Sequence, residues 1–439
     1  LVTECRMAVK EMNGQNLANT SWAFATLRIA DEDFFDAVVT QVVKNQCHDF
    51  GQQNLSNTAW AFAKVQIKRP EMMSSISRSV QRMSDKMPAQ GVANTVWAFA
   101  TLHIRDDPLM CSMRQILMKG MGRCQRQNVM DSTWAFARVT CADSELMATF
   151  TGEFLRRHST LAAGDLTVAA WCLASTDHCD EKFLQKLRHD IIQKVRNMTH
   201  QDLSNVAWAF ARLNQGEATD LFQVLANEVT RKLSEFEPQN LAITAWAFAT
   251  VGHMDDKLLQ AIGAEARKKA RRFDPQCCAN MLYSYGKLVV KDEPLVEALM
   301  DRMQHTVGRF KTLELCNAAW GISKMSFDAE KDMQAIATAV VAKVKEMNPQ
   351  DLSRSVWAFA NSRIKHDKLM DEIAWEVIAK IDHFSNQDLS NTSWAFAKLA
   401  VSNGMMMTAI AKKLVTMVKD LIPQDLANTA WSFATLGLP

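Results

Sequence analysis

Eleven of the twelve tryptophans in this chain fall on a single lattice. Trp22, Trp60, Trp97, Trp134, Trp171, Trp208 and Trp246 follow one another at 37 or 38 residues, and so do Trp320, Trp357, Trp394 and Trp431. The gap from Trp246 to Trp320 is two periods long, with Tyr283 at its midpoint, and Trp375 alone is off the lattice. A fixed period of this length marks a stacked array, in which no unit buries its apolar face by itself. The lattice therefore predicts an all-α fold: a right-handed α-solenoid superhelix of twelve 37–38-residue helix-turn-helix repeats, forming one array over residues 1–439. The repeats run approximately 1–29, 30–67, 68–104, 105–141, 142–178, 179–215, 216–253, 254–290, 291–327, 328–364, 365–401 and 402–439.

Each lattice aromatic sits in a line such as QNLANTSWAFATL, QDLSNVAWAFARL or PQDLANTAWSFATL. Five residues before it stands Leu, or Val92, Val129 and Cys278; two after it stands Phe, or Leu173, Tyr285 and Ile322. Side chains seven apart share one helix face, and the surrounding Ala, Ser, Thr and Cys let neighbouring helices approach. Pro238, Pro275, Pro349 and Pro423, eight before the aromatic, suit a first helical turn. Asp274 and Asn348 before them are N-caps, and Asp351 favours the positive end of the helix. The helix then runs about fourteen residues. Segments such as DEDFFDAVVTQVVKNQ and DKLMDEIAWEVIAKI between the motifs are amphipathic and begin with acids, so each is a second, more exposed helix.

Composition removes several function classes. Apolar residues make up 48% and charged ones 22%, too apolar for disorder. The net charge of +2 argues against unselective coating of nucleic acid. No apolar run is long enough for a bilayer, so no membrane partner is expected. Ten scattered cysteines without a CxxC read as core residues in a reducing compartment. Cys172, His178 and Cys179 resemble a metal cluster in composition but lack four-ligand spacing, and a packed cysteine pair is the better reading. Met405, Met406 and Met407 open a helix as core filler. No phosphate loop, nucleophile elbow or zinc-protease motif occurs, which predicts a chain that is not an enzyme and carries no cofactor or metal.

Counting from the aromatic as position 0, a helical wheel leaves −7, −3, +1 and +4 outside the buried arc. Position −7 is Gln in ten repeats, among them Gln15, Gln53, Gln201 and Gln424. Position −3 is Asn19, Asn57, Asn94, Asn205, Asn280, Asn317, Asn391 and Asn428 in eight. Position +1 is small. Position +4 reads Thr26, Lys64, Thr101, Arg138, Ser175, Arg212, Thr250, Lys287, Lys324, Asn361, Lys398 and Thr435, six basic and none acidic. Stacked motif helices lining a concave face would align these into an amide ladder beside a Thr/Lys/Arg row. Amides match base edges, and Lys or Arg match phosphates. The −3 and +4 residues are the candidate RNA contacts, at roughly one nucleotide per repeat. Alternatively the amides tie one repeat to the next by satisfying buried backbone.

These lines resemble the octotricopeptide-repeat family, whose repeat of about 38 residues ends in a line like PQDLANTLWALAKLG. PQDLANTAWSFATL (423–436) and PQNLAITAWAFATV (238–251) are close to it, whereas CCANMLYSYGKL and ELCNAAWGISKM depart from it. The Phe-rich WAFA variant is similar to arrays related to FAST-kinase-like and RAP proteins. The resemblance implies sequence-selective binding of single-stranded RNA in a mitochondrion or chloroplast, acting in transcript stability, processing or translation. It also implies an alternative: a protein-binding scaffold or structural subunit of an organellar RNA-processing or ribosomal complex. Because Leu1 opens no targeting segment and both ends lack polar capping repeats, the chain is expected to be part of a longer array.

Overall fold

The chain was analysed as a computed structural model that describes residues 2–176, 178, 180–213, 218–325 and 330–438. Twenty-four α-helices and eleven short 3-10 turns make up its regular structure, with no strand among the described residues. A repeat consists of an outer helix, a 3-10 turn and a motif helix; around Tyr283 these are Asp256–Lys269, Ala270–Arg272 and Pro275–Leu288. The start signals act as the sequence predicts. Pro238, Pro275, Pro349 and Pro423 each lie in a first turn. The Asp274 carboxylate accepts from Cys277 N at 2.7 Å, and the Asn348 side chain accepts from Asp351 N at 2.8 Å. Outer helices are capped by acids in the same way, Asp31, Asp143 and Asp255 among them.

Two compact units divide the chain, Leu1–Met198 and Thr199–Pro439. In the first, the motif helices Gly14–Thr26, Gln52–Lys64, Ala89–Thr101, Arg126–Arg138 and Ala163–Thr176 pack each on the next. In the second, the seven motif helices from His200–Arg212 to Pro423–Thr435 do the same. The outer helices form a parallel but looser succession in each unit. This is solenoid-type packing, and its core is the column of residues at +2: Phe62, Phe99, Phe210, Phe248, Phe359 and Phe396 are all fully buried.

One junction is tighter than the rest. A methyl group added at Gly286 would overlap the Gly321 backbone, and one at Gly321 would overlap the Leu282 carbonyl. Pro275–Leu288 and Thr312–Met325 therefore meet backbone to backbone. That contact explains why these two motifs, YSYG and WGIS, depart from the WAFA line.

Two periodic features were not anticipated. Six residues after the aromatic the chain turns left-handed: Arg28, Gln66, His103, Thr140, Val289, Arg363 and Ala400 have φ between 51° and 61°, and Gly252 and Gly437 take the same place. This left-handed residue ends the motif helix and turns the chain toward the next outer helix. Secondly, a basic residue at the end of an outer helix reaches back to carbonyls of the preceding repeat's 3-10 turn. Lys269 Nζ donates to Ser234 O (2.9 Å) and Phe236 O (2.6 Å), and Lys380 Nζ to Lys345 O and Met347 O (both 2.9 Å). Lys194 and Arg157 make the same reach in the first unit. An acid one turn earlier holds the cation: Glu265 for Lys269, Glu376 for Lys380 and Glu153 for Arg157. The lysine pair on Glu265 keeps its carboxyl below the usual glutamate range.

Candidate nucleic-acid interface

The exposed face of each motif helix is the sequence −7, −3, 0, +4. At about 100° per residue these four positions fall within a sector of roughly 60°, and +1 lies outside it. The wheel reading of +1 is therefore corrected. Ala61, Ala98, Ala135, Ala209, Ala247, Ala358 and Ala395 are fully buried, because neighbouring motif helices close over them. The lattice aromatics, whose wheel positions were expected to make most of them core, are not fully buried. The aromatics from Trp60 to Trp394 are half-buried, and Trp22 and Trp431 are exposed. Their place on the wheel, at the edge of the polar stripe beside −7, is the sequence signal for this partial exposure.

Of the predicted −3 amides, Asn19 is exposed, and Asn57, Asn94, Asn205, Asn280, Asn317, Asn391 and Asn428 are half-buried. In the +4 row Thr26, Lys64, Arg138, Arg212, Lys287, Asn361, Lys398 and Thr435 are exposed, whereas Thr101, Ser175, Thr250 and Lys324 are half-buried. Some amides bond within their own helix: Gln201 Nε2 donates to Asn205 Oδ1 (3.0 Å) and Gln424 Nε2 to Asn428 Oδ1 (3.1 Å). Others tie repeats together. Asn361 Nδ2 donates to Ser323 O (2.7 Å), and Arg354, which replaces Asn at −3, donates from Nη1 to Asn317 Oδ1 (3.0 Å). Thr26 is spent on its own backbone, its hydroxyl donating to Trp22 O at 2.8 Å. Asp131 stands in for Asn in another repeat, and burial pushes its carboxyl up.

Three of the six +4 cations lie over indoles. Lys64 Nζ is 5.9 Å from the Trp60 centroid and the Arg212 guanidinium 5.8 Å from that of Trp208. Lys324 Nζ lies over Trp320 at 5.5 Å and over Trp357 at 4.7 Å. Successive rings also meet: Trp60 and Trp97 at 6.4 Å, Trp134 and Trp171 at 6.3 Å, Tyr283 and Trp320 at 5.0 Å, Trp357 and Trp394 at 6.1 Å. Amide, indole and cation thus recur on the same side of the motif helices within each unit. That combination supplies hydrogen-bonding edges, π surface and positive charge together. In the second unit the face carries a depression of about 330 Å³ between Trp320, Arg354, Trp357 and Asn391.

Other sequence candidates do not join this face. Cys172 is fully buried, and burial drives its thiol far up; Cys179 lies outside the described residues. Met406 and Met407 are core, but Met405 is 63% exposed. No helix among the described residues is long and apolar enough to cross a membrane.

The model of one protein family, RNA-editing substrate-binding complex 6 protein, matches residues 1–249 and again residues 247–438. The chain belongs to that family. It is thus a helical tandem-repeat member of an RNA-editing complex family, and this membership, not the octotricopeptide one, is what the comparisons establish. No curated protein matches it significantly in sequence. Among solved structures, a homology model of the full-length AP-3 complex in an intermediate open conformation aligns at TM-score 0.36 and 10% identity, covering 99% of this chain and 82% of that one. A circular tandem repeat protein with novel repeat topology aligns at TM-score 0.20 and 12% identity, covering 99% and 94%. At such scores neither likeness bears on how this family works.

Proposed function

We propose that this chain is a non-enzymatic, sequence-selective binder of single-stranded RNA that acts within an RNA-editing substrate-binding complex. Following the octotricopeptide resemblance, we place it in an organelle, where it would act on transcript processing, stability or translation. The observation that carries the reading is the recurring amide, indole and cation of the −7, −3, 0, +4 face, with a +4 row that has six basic residues and no acid. The family's name is consistent with it. Bases stack on aromatic rings at about 1–3 kcal/mol each, and cations beside the rings meet the phosphates. A net charge of only +2 makes an acid-free basic row a local feature and not a reflection of overall charge. The test is anisotropy of the full chain with labelled single-stranded RNA against the corresponding duplex. Preference for the single strand supports the reading, and equal or absent binding at low salt overturns it.

One observation favours a second role on another face. Trp375, off the lattice on the outer helix Asp367–Ala379, is 60% exposed. An exposed indole of this kind anchors protein interfaces. Binding of a protein of the complex there is compatible with RNA on the motif helices.

A further inference from the structure

In the second unit the motif rings pair on either side of a gap between Trp320 and Trp357. Tyr283 pairs with Trp320, and Trp357 with Trp394. Between the pairs stands Lys324, its ammonium over Trp320 and Trp357 at once. The Gly286–Gly321 contact draws the Tyr283 and Trp320 helices together, and the row opens on the far side of Trp320. There Arg354 replaces the Asn found at −3 in eight repeats and is held by Asn317 at 3.0 Å. The opening measures about 330 Å³, within the roughly 300–1,000 Å³ typical of small-ligand sites. Asp388, an acid on its wall, already takes the Ser385 hydroxyl at 2.6 Å.

We propose that this depression is a pocket for one nucleotide of the RNA strand, and hence the point that fixes the strand's register. Lys324 and Arg354 hold its phosphate. Its base lies on Trp357, with Gln387 and Asn391 facing the base edge. The Lys324 ammonium keeps the Trp357 ring covered in the free protein; on binding it moves to the phosphate and the base takes its place. A cation and a nucleobase both suit the face of an indole, so the exchange replaces one favourable contact by another. The inference rests on the RNA-binding reading above and adds to it that the face is not uniform.

The test compares two double variants of the full chain that remove equal charge. Lys324→Thr with Arg354→Asn empties the pocket, using residues that the same positions carry in other repeats. Lys64→Thr with Arg138→Thr removes two cations of the first unit. Circular dichroism confirms that both retain their helices. With a labelled single-stranded RNA, the pocket variant is expected to bind about tenfold more weakly or worse, since charged hydrogen bonds are lost, and the control only a few-fold. Asn391→Ala is expected to change the preferred base without changing the salt slope. Equal losses in both doubles overturn the pocket while leaving the interface standing. No loss in either overturns the interface and the pocket together.

Discussion

The ammonium of Lys324 lies closer to the ring of Trp357, in the following repeat, than to that of Trp320 on its own helix: 4.7 Å against 5.5 Å. The +4 cation therefore belongs to a junction between repeats as much as to its own motif. Ligand contacts made by such a residue bear on the coupling between neighbouring repeats, the quantity that sets the stability of an array.

If Lys64, Arg138, Arg212, Lys287, Lys324 and Lys398 all meet phosphates, log affinity for a single strand should fall with log salt at about −0.7 per contact, or roughly −4 in total. Changing all six to Thr should flatten that slope towards zero and weaken binding strongly. Folding should survive, because Thr occupies this row in four other repeats. Titrations at several salt concentrations measure it, and an unchanged slope would remove the row from the interface.

The core and the face should separate in stability. Phe210 is fully buried, so Phe210→Ala should cost about 3–5 kcal/mol. Trp208 is half-buried, and Trp208→Ala should cost clearly less, despite removing the larger side chain. Denaturant melts of the two variants decide the order. Hydrogen exchange should show the Phe210 variant opening near its own repeat first.

Two glycine changes should act against habit. Ala in a helix interior is ordinarily about 1 kcal/mol better than Gly. Gly321→Ala should instead destabilise by roughly 1–3 kcal/mol, since its methyl meets the Leu282 carbonyl. Conversely, Val289 is β-branched, 61% exposed and at φ 56°, so Val289→Gly should stabilise by about 1 kcal/mol. Melting temperatures moving the other way would contradict the backbone geometry at either site.

Acid should loosen the outer helices. Arg156 holds the Glu153 carboxyl below its ordinary value of 4.5, Arg231 does so for Glu228, and Lys269 for Glu265. A depressed folded value means that the stabilisation is full above that ordinary value and disappears as pH falls through the depressed ones. Stability should therefore drop with pH in the acid range, and Glu265→Gln should drop less steeply. Equal slopes for the wild type and the variant would show that this carboxylate does not contribute.

Helix starts were legible in the sequence because they are local: Pro275 and Asp274 specify a first turn without reference to anything distant. The buried column at +2 was legible because Phe at that place repeats. The partial exposure of the Trp positions was only half legible: their hydrophobicity favours burial, while the wheel sets them at the edge of the polar stripe beside −7. The burial of the +1 alanines follows from how closely the next motif helix approaches, a distance that single-repeat patterns do not encode. The lysine clamps were missed for a related reason. The Glu265 and Lys269 spacing is visible, but the carbonyls it serves lie in another repeat. At +6, residues as different as Thr140, Arg28 and Val289 share one backbone conformation, so residue type gave no sign of it.

Those clamps also give the array a direction. The carbonyls of Ser234 and Phe236 accept from Lys269, and those of Lys345 and Met347 from Lys380, in each case from the following repeat. At these clamps a repeat's turn is thus finished by its successor. During synthesis each new repeat would emerge incomplete until the next outer helix arrives, so assembly behind the ribosome would lag by one repeat and close from the N-terminal side like a seam.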